Sequence, residues 1–183
     1  MINYSLPTSV EIAGTSYEIE SDYRAVLDIF TALSDPELDE QGKAQVLLEI
    51  FYKDYSAIQP EHVQEAIDKC MWFINCGQED AGKKAPKLVD WEQDFQFIAP
   101  AVNRVMGKEI RELEYLHWWS LIGAYMEIGG DCAFAQIVSI RDKLARHKKL
   151  EKHETEWLNR NRHLVDFKRK YTQADNEILN QWI

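Results

Sequence analysis

Asp90, Glu92 and Asp94 put three carboxylates into one short stretch. On a helix, Asp90 and Asp94 share a face and could hold a cation or act as general acid and base. The same positions also suit a helix cap followed by negative charge at the positive end of the helix dipole. His117 and Ser120 are spaced so that their side chains could touch on a helix, the start of a base–nucleophile pair. No glycine loop that could form an oxyanion pocket precedes Ser120, so a structural hydrogen bond is the expected role. His153-Glu154 opens like the zinc signature HExxH, but Trp157 stands where the second histidine belongs. His147 and His153 do not share a helix face, and Cys70 and Cys76 are too far apart for a zinc-knuckle pair. Cys132, next to Asp131, suits a helix start with a buried thiol. Phosphate-binding glycine motifs are absent, and Gly129-Gly130 is only punctuation between helices. No metal, no cofactor and no catalytic residue is expected; the chain reads as a non-enzyme.

Basic residues gather late in the chain, at Lys148–Lys152 and Lys168–Lys170, with His163 between them. Such a run could meet phosphates, but no aromatics interleave there for base stacking. The formal net charge is −10, which argues against nucleic acid as a partner. The charge is uneven. From Arg141 to the end there are 11 basic and 7 acidic residues, net +4; the first 140 residues hold 10 basic and 24 acidic, net −14. That split suits polar contacts within an assembly, or solvated helix faces.

The 183 residues, 45% of them hydrophobic and 28% charged, suit one globular domain spanning residues 1–183. No long apolar run occurs, so no membrane association is expected. Met1–Leu6 is too short for a secretory leader before Pro7. Three irregularly spaced cysteines fit reduced thiols. The cytoplasm is the expected place.

The elements follow from periodicity. Residues 9–19 alternate around Ala13-Gly14-Thr15, which predicts a β-hairpin. Asp22 should cap a helix carrying Tyr23, Val26, Ile29 and Phe30, stopped before Pro36. Helices are predicted over 39–52 and from Gln59-Pro60 to Cys76-Gly77, the glycine serving as a left-handed cap. Residues 78–88 are polar and aperiodic, a flexible loop. Asp90 caps the next helix, which Pro100 should kink and Gly107 should end. A single helix over 110–128 is expected to sit deepest: Trp118, Trp119, Leu121, Ile122 and Tyr125 cover about half its circumference. The adjacent indoles of Trp118 and Trp119 should point about 100° apart and meet different neighbours, or one of them should meet a partner protein together with Tyr115. Asp131 is expected to cap a helix with Phe134, Ile137, Val138, Arg141 and Leu144 at helical spacing. A charged helix over 154–170 closes the pattern, with a short turn or frayed end over 175–183. The class is mostly α: a single-domain helical bundle with an N-terminal β-hairpin.

Phe-Ile-Asn-x-Gly at 73–77, Asp-x-Glu-Gln-Asp at 90–94, the Ala101-to-Gly107 spacing, Tyr-Leu-His-Trp-Trp at 115–119 and Ile-Arg-x-Lys at 140–143 occur in that order. Together they resemble the bacteriophage "gene product fifteen" family of tailed phages and prophages of Gram-positive bacteria, over about Tyr17 to Leu150. The resemblance implies a gene in the tail module near the tape-measure gene. Proteins encoded there are commonly tail assembly chaperones, so it implies a non-enzymatic factor in the host cytoplasm that binds the tape-measure protein or other tail proteins. A structural tail or neck component retained in the virion is the alternative it leaves open, and self-association into a homo-oligomer is compatible with either. The resemblance implies no catalytic residue. The partner-facing residues expected from the sequence are Tyr115 with Trp118 or Trp119.

Overall fold

A computed structural model describes residues 4–78 and 85–180. The chain is mostly helical, with an N-terminal hairpin, and it divides into two compact units. The first comprises Met1–Ala81, Tyr115–Ser120 and Lys170–Ile183; the second comprises Gly82–Glu114 and Leu121–Arg169.

In the first unit, β1 (Ser9–Ile12) pairs antiparallel with β2 (Thr15–Glu18), Val10 facing Tyr17 and Ile12 facing Thr15. Ala13 and Gly14 between them both have positive φ, +47° and +78°, the backbone of a tight hairpin whose twist matches its strands. Val10 and Ile12 turn inward and Glu11 turns outward. Helix α1 (Tyr23–Leu33) starts at Asp22, whose carboxylate accepts from Arg24 N–H at 2.9 Å. It buries Tyr23, Val26 and Ile29. Asp39 caps α2 (Glu40–Phe51) through Gly42 N–H, and α2 buries Leu47, Leu48 and Phe51. Pro60 opens a short 3-10 turn that leads into α3 (Val63–Ile74), which buries Ala66, Cys70, Phe73 and Ile74.

In the second unit, α4 runs from Trp91 to Met106 and is capped by Asp90. Pro100 lies inside it and does not break it. Pro100 and Gln96, whose carbonyl loses its helical partner, are both exposed, so water can satisfy that carbonyl. Gly107 ends the helix at φ +68°. Helix α5 is Trp118–Met126, its first three residues belonging to the first unit and the remainder to the second. Helix α6 (Ala133–Ala145) buries Phe134, Ile137, Ile140 and Arg141. Its cap is Cys132, whose sulfur accepts from Ala135 N–H, and not Asp131, which pairs with Arg104 at 2.6 Å. The Cys132 thiol is part-exposed, not buried. Helix α7 (Lys152–Val165) begins in a capping box formed by Glu151 and Glu154. Helix α8 (Gln173–Asn180) lies in the first unit.

The stretch 110–128 is not one helix. A 3-10 turn covers Ile110–Glu112, and helix resumes only at Trp118. Between them, residues 115–118 are drawn into extended pairing with residues 21–23. Tyr23 N–H donates to the Leu116 carbonyl (2.9 Å), Trp118 N–H to the Ser21 carbonyl (2.8 Å), and Leu116 N–H to the Asp22 carboxylate (2.8 Å). A helix through these positions would forfeit all three bonds and leave the start of α1 unsatisfied. Burial is accordingly mixed: Trp118 is 1% exposed and Leu121 is fully buried, but Tyr115 is 53% and Met126 73% exposed. Of the predicted loop 78–88, residues 79–84 lie outside the described residues.

Candidate functional site

The first unit brings together two of the sequence motifs, Phe73–Gly77 and Tyr115–Trp119. The last turn of any helix leaves carbonyls without backbone partners. Here two indoles donate to the end of α3: Trp118 Nε1–H to the Ile74 carbonyl at 2.9 Å, and Trp119 Nε1–H to the Phe73 carbonyl at 2.8 Å as a second donor beside the backbone. The two N–H groups thus reach one helix end, while the rings meet different neighbours, Trp118 packing on Phe30 and Trp119 on Trp72 and Phe73. The chain beyond α3 closes a Schellman motif, with Cys76 N–H donating to Phe73 O and Gly77 N–H to Trp72 O. Its left-handed residue is Cys76 (φ +55°), so the predicted glycine cap is displaced by one. Gly77 is also left-handed (φ +77°), and a side chain there would meet the Trp119 ring at 3.2 Å.

His117 completes the arrangement. Its Nδ1 accepts Trp119 N–H at 3.0 Å, which places the ring proton on Nε2, 2.9 Å from the Pro7 carbonyl that accepts it. The ring is 3% exposed and packs edge-on against Phe73. Ser120 receives no side-chain bond from it; the backbone of Ser120 donates to the His117 carbonyl. The spacing that suggested a base–nucleophile pair is that of a cap at the start of α5. Tyr115 is exposed, with its hydroxyl 2.7 Å from that of Ser21. Trp119 is half-buried and packs edge-on against the exposed Trp72.

The second unit brings together two more of the motifs, Asp90–Asp94 and Ile140–Lys143. Asp94, fully buried, holds Arg141 in a two-pronged ion pair at 2.5 and 3.0 Å. The remaining guanidinium N–H groups donate to the carbonyls of Val165 (2.7 Å), Leu164 (2.9 Å) and Leu88 (3.0 Å). All five donors of the arginine are therefore satisfied. Asp94 also accepts Asp90 N–H at 2.9 Å. Asp90 itself caps α4 and receives Lys87 Nζ at 2.8 Å. Gln93 ties down the end of α7: its amide donates to the carbonyls of Leu164 and Asp166, and its oxygen accepts Lys168 N–H. Lys143 pairs with Glu154 at 2.6 Å, so the Glu of His153-Glu154 serves a salt bridge and a helix start. The carboxylates that suggested acid–base or cation chemistry are thus engaged with the chain itself.

The sequence reading missed Arg141 as a polar anchor. Its signal was there: an arginine at helical spacing from Phe134 and Ile137, on the inward stripe, needs a buried anion. Asp22 and Gln93 were not legible in their second roles, because both reach segments distant along the chain.

Charged groups outside these clusters show ordinary pairing. Side-chain and backbone hydrogen bonds from Arg111 lower the Glu109 carboxyl to about 2, helped by Asn103. The hydrogen bond to Arg104 lowers Asp131, and Lys143 lowers Glu154. Burial pushes the Cys70 thiol and the Tyr52 hydroxyl well up. Among the described residues no three His, Cys, Asp or Glu side chains gather to hold a metal ion. Among the same residues no buried side-chain nitrogen or oxygen lacks a hydrogen-bond partner, and no helix is long and apolar enough to cross a membrane.

Fold and clusters define a mostly helical protein with an N-terminal hairpin, whose motif residues lock helix ends together. The profile of the bacteriophage Gp15 protein family matches residues 2–167, and the chain belongs to that family. It is a bacteriophage protein. No curated protein and no solved structure matches it.

Proposed function

We propose that the chain is a non-enzymatic phage tail assembly factor, a chaperone that holds segments of the tape-measure protein in the host cytoplasm during tail morphogenesis. Membership of a phage family supports the setting. The observation that carries the reading is the exposure of large apolar side chains, Tyr115 (53%), Met71 (39%) and Trp72 (37%), in a unit whose polar clusters are already satisfied by its own chain. Exposed aromatics are the residues protein partners anchor on. Trp118 sets the fold from inside; Tyr115 and the half-buried Trp119 are the partner-facing residues of this proposal.

The test is co-expression with the tape-measure protein encoded by the same phage. Soluble tape-measure protein should rise with the wild-type chain and fall with Tyr115→Ala, whose own melting temperature should stay within a few degrees of wild type. Mass spectrometry of purified virions should not find the chain. Its presence at a fixed copy number would favour the second reading, a structural tail or neck component. Sedimentation of the free chain reports whether it acts as a homo-oligomer.

A further inference from the structure

Strand β1 has an open edge. The bond from Ile19 N–H to the Thr8 carbonyl (3.0 Å) fixes the alternation, so Thr8, Val10 and Ile12 turn their backbone groups toward β2. The N–H and C=O of Ser9 and Glu11 then point the other way. The far edge of the hairpin is covered: Lys53 N–H donates to the Glu18 carbonyl (3.2 Å) and Glu20 N–H to the Phe51 carbonyl (2.8 Å). Among the described residues no such cover lies along Ser9 and Glu11. The edge opens instead on a groove of about 380 Å³ lined by Ser9, Val10, Glu11, Asp68, Lys69 and Trp72. Trp72 gives it an apolar wall, and Glu11 and Asp68 outnumber Lys69.

We propose that this edge takes up an extended segment of a partner protein as an added strand. The segment would alternate apolar side chains, set against Trp72, with basic ones that meet Glu11 and Asp68. Charge selects this occupant over a second copy of the chain. The first unit holds 5 basic and 18 acidic residues, net −13. Pairing β1 with its own copy would bring two such units together, with Glu11 of each strand near the other. The inference goes beyond the assembly role and stands without it.

The probe is a capped peptide, Lys-Val-Lys-Val-Lys-Val-Lys, titrated into the full chain. Four controls accompany it: the same peptide N-methylated at alternate amides, its glutamate counterpart, and the variants Glu11→Pro and Trp72→Ala. Proline is tolerated there because the Glu11 N–H serves no bond in the hairpin, yet it blocks a new strand. The expected result is saturable binding, weakened at least tenfold by N-methylation of the peptide, by glutamate in place of its lysines, by Glu11→Pro and by Trp72→Ala. Amide exchange at Ser9 and Glu11 should slow on binding. Should Glu11→Pro fail to fold, the N-methylated peptide asks the same question of the wild-type chain. Three results would each overturn the proposal: no binding at millimolar peptide, equal affinity for the N-methylated peptide, or self-association that protects the same two amides. None of them bears on whether the chain binds the tape-measure protein.

Discussion

Arg141 lays its guanidinium against the carboxylate of Asp94 at 2.5 and 3.0 Å, with 3% and 0% of the two side chains exposed. The pair joins the first turn of α4 to the middle of α6, and the other donors of Arg141 hold the end of α7. The Phe167 ring covers the guanidinium at 4.2 Å. Removing one member of such a pair strands a buried charge. Asp94→Asn and Arg141→Met are each expected to lower stability by about 3–5 kcal/mol. Arg141→Lys should not rescue, since an ammonium cannot match five converging acceptors. Urea unfolding checks the magnitude, and faster amide exchange over Arg141–Leu144 checks the location. A wild-type midpoint for Asp94→Asn would mean that the pair does not hold these helices.

The indoles of Trp118 and Trp119 do the same work at the end of α3, but unequally. Trp118 is buried, so Trp118→Phe leaves the Ile74 carbonyl without its donor and opens a small void. A loss of about 2–4 kcal/mol is expected. Trp119 is half-buried, and Trp119→Phe should cost about 1 kcal/mol. Thermal melts of the two variants side by side test the order. Equal losses would show that burial does not separate them.

Much of this fold was legible in local patterns. The hairpin, the caps at Asp22 and Asp90, and the inner face of α1 follow from spacing and turn chemistry. Segment 110–128 misled because its apolar arc is wide enough for a buried helix while its competitor lies far away in the chain. No window around Leu116 shows that Ser21, Asp22 and Tyr23 will take its backbone bonds. The cluster residues were visible as motifs, yet their pairing was not: Phe73–Gly77 with Tyr115–Trp119, and Asp90–Asp94 with Ile140–Lys143. Each motif reads alone as a cap or a chemical group. Only tertiary contact shows that each is one half of a lock.

Gly77 and Cys76 make opposite predictions from adjacent left-handed positions. Gly77→Ala adds a side chain at φ +77° and 3.2 Å from the Trp119 ring, so a loss of about 2 kcal/mol is expected, with a shift in tryptophan emission. Cys76→Gly relieves a non-glycine residue at φ +55° while loosening the unfolded chain, and the two effects should nearly cancel. Denaturant midpoints decide. A neutral Gly77→Ala would show that the turn or the Trp119 ring gives way freely.

Thiol chemistry should be selective. Burial raises Cys70 strongly and Cys76 to a lesser degree, and only the thiolate attacks. Cys132 is part-exposed at the start of α6. With iodoacetamide at pH 7.5 the native chain should be alkylated at Cys132 first, at Cys76 more slowly, and at Cys70 only on unfolding. Peptide mapping over time follows the order. Early labelling of Cys70 would mean that α3 opens readily.

Tyr52 sets an alkaline limit on the first unit. Its hydroxyl is buried and donates to the Ala66 carbonyl at 2.8 Å. Burial, then the nearby Cys70 and Glu65, raise its pKa far above the usual 10.0. A raised value in the folded state favours the protonated form there. The stabilisation is therefore complete below pH 10, where the unfolded tyrosine is also neutral, and is lost progressively as the unfolded chain ionises above it. Tyr52→Phe cannot ionise. It should cost about 1 kcal/mol at neutral pH for the lost hydrogen bond. Its stability should then fall less steeply than that of wild type between pH 10 and 12. The difference between the two curves isolates Tyr52 from Cys70, whose own loss begins nearer 9.0. Parallel curves across that window would show that the hydroxyl stays solvated in the folded chain.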